Sequence, residues 1–193
     1  SGRRIDEGAG GGAVSLEPAT RAQKPILEHL LELYVHDLSE AFELEIGRDG
    51  RFGYERLPLY WQETTRRFPF LIRVGAEWAG FALVTRGSPA TEDPSDLDVA
   101  EFFVLRRHRR SGVGRRAAFL LFDRIPGHWV VRVAERNRRG LPFWREIIPD
   151  YMRGQASSET MESADQGWTV FRFHTRPAPL SPQRRDHDSG DDE

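Results

Sequence analysis

The sequence predicts a mixed α/β fold in which helices pack on one central sheet of about seven strands. Three observations predict it. The 193 residues are enough for one domain with a sizeable core. Hydrophobic residues make up 38% of the chain and charged residues 30%, as is usual for a globular protein with a well-charged surface. The predicted elements follow the order strand, two helices, three strands, helix, strand, helix, two strands, which favours a mixed sheet.

The first half of the chain begins with a short predicted strand at 14–16 and a helix that starts near Pro25. A proline suits the first turn of a helix, because its missing amide hydrogen would have no partner there. A second short helix is predicted at 59–66, and strands at 70–74 and 78–85 read as an antiparallel hairpin. Apolar side chains at helical spacing give the first helix one buried face, formed by Leu27, Leu30, Leu31, Tyr34 and Leu38.

The second half of the chain alternates strands and helices and ends in two strands. A helix at 113–124 has one apolar side and stops before Pro126-Gly127. Another helix starts at Asn137 and runs through an aromatic pair. The predicted strands of this half lie at 98–105, 129–133, 151–157 and 168–174, and the polar segment SSETMESADQ separates the last two.

Residues 1–12 and 176–193 are predicted to be tails on either side of one domain at 13–175. The first segment is rich in glycine and charge, and the second is rich in proline and ends in acidic residues. Such segments bury too little apolar surface to offset the entropy of ordering. We therefore expect a flexible amino-terminal tail and a disordered, acidic carboxyl-terminal tail.

Composition excludes several kinds of chemistry. The chain has no cysteine, which excludes disulfides, thiolate catalysis and cysteine-bound metals, and favours a cytoplasmic location. No signal-peptide pattern and no apolar run of about 20 residues is found, so no membrane association is expected. His29 and His36 could share one face of the first helix, but no third ligand accompanies them, so no metal is expected. The formal net charge of −2 gives no general reason to expect a nucleic acid partner.

The passage from residue 100 to residue 124 carries the strongest functional signal. The apolar strand AEFFVL leads through RRHRRSGVGRR into an amphipathic helix, and six arginines lie between positions 106 and 116. Glycines at 112 and 114 allow a tight turn, and the first turn of the helix leaves amide hydrogens without partners. Such a helix start favours a bound phosphate. The glycine spacing matches neither GxGxxG nor the GxxxxGK(S/T) of P-loops.

Residues 109–114, RRSGVG, match the pattern Q/R-x-x-G-x-G/A. In this motif the chain resembles the GCN5-related N-acetyltransferases (GNAT). Members of that family bind the pyrophosphate of coenzyme A with this loop. Asn137, followed by Phe143-Trp144, is similar to the next segment of that family. The resemblance covers roughly residues 13–174 and extends to a bacterial subgroup of predicted acetyltransferases. It implies the GNAT fold, with helices on both faces of the sheet, and an acyltransferase that uses acetyl-CoA as cosubstrate.

The resemblance also implies how acetyl-CoA would be held. The backbone of Val104 and Leu105 would pair with the pantetheine arm, where the fourth and fifth strands splay apart. The amides of 110–114 would bind the pyrophosphate, and Asn137 would contact the cofactor near the same arm. The full set of cofactor residues implied in this way is Phe103, Val104, Leu105, Arg109, Arg110, Ser111, Gly112, Val113, Gly114, Arg115, Asn137 and Phe143.

An acetyl thioester is attacked by a neutral amine, so a general base is useful for an acceptor whose pKa is about 10.4. Relatives often carry this base on the fourth strand, where this chain has Asp98 and Glu101. The two lie at opposite parity, so only one faces the acceptor unless a bulge intervenes. Glu101 is favoured because a carboxylate within apolar AEFFV is costly to bury without a role. Asp98 stays open, since some relatives keep a glutamate at its place.

The general acid is less well defined. Relatives commonly protonate the leaving thiolate with a tyrosine on the helix after the asparagine, and this chain has Trp144 there. An indole is no useful proton donor, so Trp144 is expected to pack or to form a wall of the cofactor site. Tyr151, Tyr60, Tyr54 or solvent would then supply the proton.

The acceptor is the least determined part of the prediction. Family architecture places its selection near His36, Tyr54, Tyr60 and Trp61, where aromatic and acidic residues suit a cationic amine, although each aromatic side chain could equally belong to the core. The leading hypothesis is acetyl transfer to the primary amine of a small molecule. The alternatives are a protein N-terminus or lysine, and a non-catalytic acyl-CoA-binding regulatory module. No nucleic acid is expected, because no stacking aromatics interleave the arginines, and a homodimer stays open.

Overall fold

A seven-stranded mixed sheet organises the chain in the computed structural model, which describes residues 12–163 and 166–177. The predicted tails fall outside the described residues except for Gly12, Arg176 and Pro177. Their predicted character therefore stays a prediction.

The predicted fold class is confirmed. The strands are β1 (Val14–Pro18), β2 (Arg67–Val74), β3 (Glu77–Arg86), β4 (Leu97–Val104), β5 (Gly127–Ala134), β6 (Ser157–Ser163) and β7 (Gln166–Thr175). The α-helices are α1 (Lys24–Phe42), α2 (Val113–Arg124) and α3 (Gly140–Tyr151), and short 3-10 helices lie at Arg21–Gln23, Leu57–Trp61 and Arg106–His108. The sheet order is β1-β2-β3-β4-β5-β7-β6, with β4 and β5 parallel and every other neighbouring pair antiparallel. None of the helices formed by the described residues is long and apolar enough to cross a membrane.

Two elements differ from the sequence prediction. The second helix, predicted at 59–66, is the five-residue 3-10 helix Leu57–Trp61. Two threonines in the segment that follows are poor helix formers, and β2 begins soon afterwards. The strand predicted at 151–157 is wrong, because α3 continues to Tyr151 and β6 is formed by the polar segment Ser157–Ser163. This edge strand pairs only with β7, so it needs no apolar alternation to form.

The sheet buries a core on each face. On one face, α2 and α3 cover a cluster that includes Phe122, Trp129 and Trp144. On the other face, α1 and the 3-10 helix at 57–61 cover a second cluster that includes Phe81 and Phe103. Each fully buried side chain of this size contributes about 1.5–3 kcal/mol through its removal from water. Helices therefore lie on both faces of the sheet, as the resemblance implied.

A β-bulge interrupts the pairing of β3 with β4. Leu83 pairs with Glu101, and the next residue, Val84, pairs with Val99, so Ala100 has no partner on β3. An extra residue in one strand shifts the alternation of side chains beyond it. Asp98 and Glu101 therefore lie on the same face of the sheet, and the opposite parity expected of an unbroken strand does not apply.

The pairing of β4 with β5 is short. Their parallel register comprises Leu97 with Trp129 and Asp98 with Val130, after which the two strands separate. A side-chain pair holds them at this point: Nε and Nη2 of Arg132 donate to the two carboxylate oxygens of Asp98 at 2.9 and 3.1 Å. The Ser88 hydroxyl donates to the same carboxylate at 2.5 Å. The fully buried Asp98 thus closes the narrow end of a V-shaped gap.

We expect the substitution Asp98→Asn to lower the free energy of unfolding by about 2–4 kcal/mol, because it leaves the half-buried Arg132 without a counter-charge. Urea denaturation followed by far-UV circular dichroism measures this change. The matched control is Glu159→Gln, which removes an exposed partner of Arg172 at the sheet edge and should cost less than about 1 kcal/mol. Equal losses in the two variants would contradict a structural role for the buried pair.

Candidate active site

The gap between β4 and β5 opens into a cleft of about 1030 Å³. One wall is formed by the separated strands, a second by the loop before α2, and a third by the start of α3. The cleft also reaches α1 through Tyr34 and Asp37. Of the cofactor residues implied by the resemblance, those that line it are Phe103, Val104, Arg109, Arg110, Gly112, Gly114, Arg115, Asn137 and Phe143.

The loop at 109–114, called the anion loop, lies at the mouth of this cleft. Arg110 has φ of 60° and Gly112 has φ of 79°, so two left-handed residues turn the chain tightly into α2. A left-handed arginine costs about 1 kcal/mol, so the surrounding structure must hold this conformation. Within the described part of the chain, the amides of residues 110–114 donate to no acceptor. Consecutive free amides at a helix start form a concave site for an anion.

Aromatic packing explains the second glycine of the motif. A Cβ atom at Gly114 would lie 3.1 and 3.3 Å from two ring carbons of Phe143. Phe143 in turn stacks on Phe102 at 5.7 Å between ring centroids, and Trp144 meets Phe102 edge-on at 5.1 Å. These rings join α3 to β4 along one side of the cleft, and a glycine at 114 lets α2 approach them without displacing the Phe143 ring.

Asn137 caps α3. Its Oδ1 accepts a hydrogen bond from the Gly140 amide at 2.7 Å, and its backbone carbonyl accepts one from the Leu141 amide at 3.1 Å. The cap orients the carboxamide at the edge of the cleft, because its oxygen is held by the helix. The helix itself begins at Gly140, three residues after the start predicted from the sequence.

At the end of β4, successive residues direct their backbone groups alternately toward β3 and toward the gap. The Leu105 amide donates to the Ala79 carbonyl of β3 at 2.8 Å, and its side chain packs on the α1 side. Alternation along a strand then turns the Val104 backbone toward the gap. The Val104 carbonyl accepts a bond from Nε of Arg109 at 2.8 Å, which fixes the first residue of the anion loop to the strand.

Asp37 of α1 holds two arginines at the mouth of the cleft. Nη2 of Arg106 and Nη2 of Arg109 each donate to its carboxylate at 2.6 Å, and Arg139 approaches at 4.0 Å. Burial raises the pKa of the Asp37 carboxyl, but the bonds from Arg109 and Arg106 outweigh burial and hold the pKa below its usual range. The carboxylate therefore remains charged and fixes the anion loop to α1.

Glu101 is one of three carboxylates among the described residues that line the cleft, together with Asp37 and Glu146. The Tyr34 hydroxyl donates to Oε2 at 2.5 Å, and the Tyr54 hydroxyl donates to Oε1 at 3.0 Å. Burial raises the pKa of Glu101, although the two hydroxyl donors and the more distant Arg132 oppose the increase. Burial and the neighbouring Glu101 also raise the pKa of both tyrosines, so their hydroxyls stay protonated and act as donors.

A smaller pocket of about 330 Å³ lies on the other side of Glu101, between α1 and the loop that follows it. Glu101, Tyr34 and Leu38 line both the pocket and the cleft. The remaining lining residues of the pocket are Val35, Leu44, Glu45, Phe52, Gly53 and Tyr54. One carboxylate thus stands in a wall shared by two cavities.

The other predicted catalytic residues lie elsewhere. Both carboxylate oxygens of Asp98 are bound by Arg132, as described above, and Asp98 is absent from the described lining of both cavities. The Tyr151 hydroxyl donates to Asp123 of α2 at 2.7 Å, on the face away from α1. Trp144 is buried in the aromatic cluster of the cleft wall.

The predicted acceptor residues are brought together only in part. Tyr54 lines the pocket and binds Glu101. The exposed His36 ring lies 6.3 Å from Phe52, beside the pocket. Tyr60 is buried under the cation of Arg67, and the Trp61 indole donates to the Ala19 carbonyl at 3.0 Å, so both anchor the 3-10 helix to the core. Three cofactor residues implied by the resemblance lie off the described cleft lining. The Leu105 amide bonds to the Ala79 carbonyl, the Ser111 hydroxyl bonds to the His108 carbonyl, and Val113 is buried in the core.

Sequence reasoning missed two residues of this arrangement. Tyr34 was assigned to the buried face of α1, and Arg132 received no role. A tyrosine on an apolar helix face needs a hydrogen-bond partner when buried, and an arginine within an apolar strand needs a counter-charge. A polar side chain within an apolar segment was thus the sequence signal for both Tyr34 and Arg132.

Comparisons with known proteins agree with this geometry. No family model matches the chain, and no curated protein matches it. A GNAT-family acetyltransferase from Bacillus cereus ATCC 10987 is 13% identical with a TM-score of 0.56, covering 86% of this chain and 99% of that one. The spermidine N-acetyltransferase from Vibrio cholerae, solved with CoA and spermine, is 11% identical with a TM-score of 0.57, covering 84% and 95%. The ribosomal-protein-S18-alanine N-acetyltransferase from Escherichia coli is 12% identical with a TM-score of 0.53, covering 87% and 97%.

The structure thus belongs to the class of mixed α/β folds whose sheet opens into a V-shaped cleft beside a free helix start. The solved structures define that class further: the chain has the GNAT fold. At these identities the likeness establishes the fold, and the chemistry of the site has to be argued from its own residues.

We expect the substitution Tyr34→Phe to raise the pKa of Glu101, because it removes a donor that stabilises the charged carboxylate. The pH titration of the Glu101 side-chain carboxyl carbon by NMR measures the midpoint. Tyr151→Phe is the control, since that hydroxyl binds Asp123 and should leave the midpoint unchanged. A midpoint that falls in Tyr34→Phe would show that the hydroxyl does not stabilise the carboxylate.

Proposed function

We propose that the protein is an N-acetyltransferase that moves an acetyl group from acetyl-CoA to the primary amine of a small molecule. One observation carries the proposal. Glu101 stands in the wall between a cleft that ends in free backbone amides and a separate pocket large enough for a small acceptor. A base placed between two binding cavities is what acyl transfer between two substrates requires.

The cleft suits coenzyme A through its own residues. The free amides of 110–114 and the start of α2 would bind the diphosphate, and the exposed Arg110 and Arg115 would add positive charge. The Val104 backbone and the carboxamide of Asn137 would hold the pantetheine arm in the gap between β4 and β5. When bound, acetyl-CoA supplies a thioester carbonyl that an amine can attack.

Glu101 would act as the general base. A lysine-like amine is neutral to only about one part in 10³ at pH 7, a penalty of roughly 4–5 kcal/mol that a base helps to overcome. Its burial raises the pKa of Glu101 toward the range in which a carboxylate accepts protons efficiently. Tyr34 and Tyr54 orient the carboxylate by donating to its two oxygens, and they leave its other lone pairs to the acceptor.

Asp98 is less suited to this role. It is fully buried, and its oxygens are engaged by one guanidinium and one hydroxyl. The same geometry argues against Tyr151 as general acid, because its hydroxyl is bound to Asp123 away from the cleft. With Trp144 packed in the cleft wall, the leaving thiolate would take its proton from solvent at the cleft mouth.

Two alternatives are decided by the same assay. A protein amine as acceptor is less favoured, because the pocket beside Glu101 is small and lies under the loop at 43–54. A non-catalytic acyl-CoA-binding module is less favoured because a carboxylate with two oriented donors has no purpose in such a module. Thiol release from acetyl-CoA with a panel of amines, and with peptides, separates the three.

We expect Glu101→Gln to lower kcat at neutral pH by about 10² or more, while the Kd for coenzyme A changes less than about twofold. Thiol release gives kcat, and calorimetry gives Kd. Glu159→Gln, which lies on the edge strand and outside the described lining of both cavities, is the control for a lost surface carboxylate. An unchanged kcat in Glu101→Gln would exclude this residue as the base. Binding of acetyl-CoA without turnover on any amine would favour the non-catalytic module.

We also expect Gly114→Val to weaken coenzyme A binding by about tenfold or more, because the new side chain pushes the Phe143 ring and the anion loop apart. Calorimetry with coenzyme A measures the loss. Combining it with Phe143→Leu should restore part of the affinity, since the smaller side chain yields space. Affinity unaffected by Gly114→Val would show that coenzyme A does not depend on this loop.

A further inference from the structure

The pocket beside Glu101 has walls of two kinds. At its inner end stand the Glu101 carboxylate and the hydroxyls of Tyr34 and Tyr54, which are committed to that carboxylate. The walls leading outward are apolar, formed by Val35, Leu38, Leu44 and Phe52. A ligand that fits both parts has one polar end and an apolar body.

Charge decides which polar end is accepted. The described lining holds two carboxylates, Glu101 inside and the exposed Glu45 at the rim, and neither lysine nor arginine. The cation that acts on Glu101, Arg132, is itself bound to Asp98, so this partly buried carboxylate still favours a cationic ligand group. The inner end of the pocket therefore suits an ammonium group.

The outer wall is held in place without a ligand. The Glu32 carboxylate of α1 accepts bonds from the amides of Phe52 and Gly53 at 2.8 and 2.7 Å. These two bonds pin the loop that carries Phe52 and Tyr54 against the helix. Because the ring of Phe52 is positioned beforehand, its contact with a ligand body costs little ordering entropy.

Volume limits the size of the ligand. A cavity of about 150 Å³ holds one benzene molecule, so a pocket of about 330 Å³ has room for roughly a dozen non-hydrogen atoms. This admits an amine with a single ring and a short linker. It is too small to enclose a folded peptide segment or a compound of several sugar rings.

We propose that the acceptor is a primary monoamine with an aromatic or compact apolar body, bound with its ammonium group at Glu101 and its body against Phe52 and Leu38. The proposal rests on the proposed function and adds to it the class of substrate. A diamine is disfavoured because its second cation would lie on the apolar wall, and the exposed Glu45 is worth little as a partner. Glu101 takes one proton from the ammonium group so that the neutral amine can attack the thioester carbonyl. The amide bond forms as the thioester bond breaks, coenzyme A leaves as its thiolate, and the second proton of the amine passes through solvent to that thiolate.

The test compares 2-phenylethylamine, ethylamine, 1,4-diaminobutane and a lysine-containing peptide as acceptors in the thiol-release assay. We expect kcat/KM for 2-phenylethylamine to exceed that for each of the others by about tenfold or more, since the ring fills the pocket. A diamine or peptide that matches or exceeds 2-phenylethylamine would overturn the proposed substrate class while leaving the transferase function standing.

A matched pair of variants tests the wall itself. Phe52→Ala should reduce the preference for 2-phenylethylamine over ethylamine by about tenfold, mainly through KM. Ile46→Ala alters an exposed residue of the same loop and should leave the preference unchanged. An equal loss on both amines in Phe52→Ala would also overturn the proposal, because the ring would then have no contact with the ligand body.

If no amine releases thiol, the transferase function fails and the pocket is tested by binding alone. Calorimetric binding of 2-phenylethylamine, weakened in Phe52→Ala and retained in Ile46→Ala, would support the pocket as an amine site. Absence of such binding would overturn it.

Discussion

The ion pair between Asp98 and Arg132 lies where β4 and β5 stop pairing, and the site depends on that position. The strands share two residue pairs before they part, so few backbone bonds hold them together. The bidentate side-chain contact adds a bond across the opening just beyond those pairs. If β4 and β5 remained paired along their length, no gap would form. Without the bond between Asp98 and Arg132, only two residue pairs would hold these strands together. The buried ion pair between Asp98 and Arg132 therefore stabilises the sheet at the point where the cleft opens.

The bulge at Ala100 lets β4 place two carboxylates, Asp98 and Glu101, on the same face of the sheet. Before the bulge, β4 presents Asp98 to Arg132, and after it the strand presents Glu101 to Tyr34. If Ala100 were paired as in an unbroken strand, Glu101 would point to the face covered by α2 and α3, opposite to Asp98. A single unpaired residue thus lets one strand place on the same face a carboxylate that joins β4 to β5 and a carboxylate that lines the cleft.

Local signals made some parts of this structure predictable. Gly112 and Gly114, within a run of arginines between an apolar strand and an amphipathic helix, predicted the tight turn before α2 and the bounds of that helix. The partners of Glu101 were not predictable in the same way, because Tyr34 and Tyr54 lie 67 and 47 residues from it in sequence. Their contact depends on how α1 and the following loop pack on the sheet. The edge strand β6 was missed since a strand with one neighbour needs no hydrophobic pattern.

Charge is divided between the two cavities in a way that suits two different ligands. Among the described residues, seven arginines and three carboxylates line the cleft, whereas the lining of the pocket carries two carboxylates, Glu101 and Glu45, and neither lysine nor arginine. Asp37 of α1 lines the cleft and binds Arg106 and Arg109. This carboxylate therefore balances part of the positive charge of these two arginines on the side of the cleft toward α1. A polyanion is attracted to one cavity and a cation to the other. Under the proposed function this division also favours turnover, because acetylation converts the ammonium group into a neutral amide that Glu101 no longer attracts.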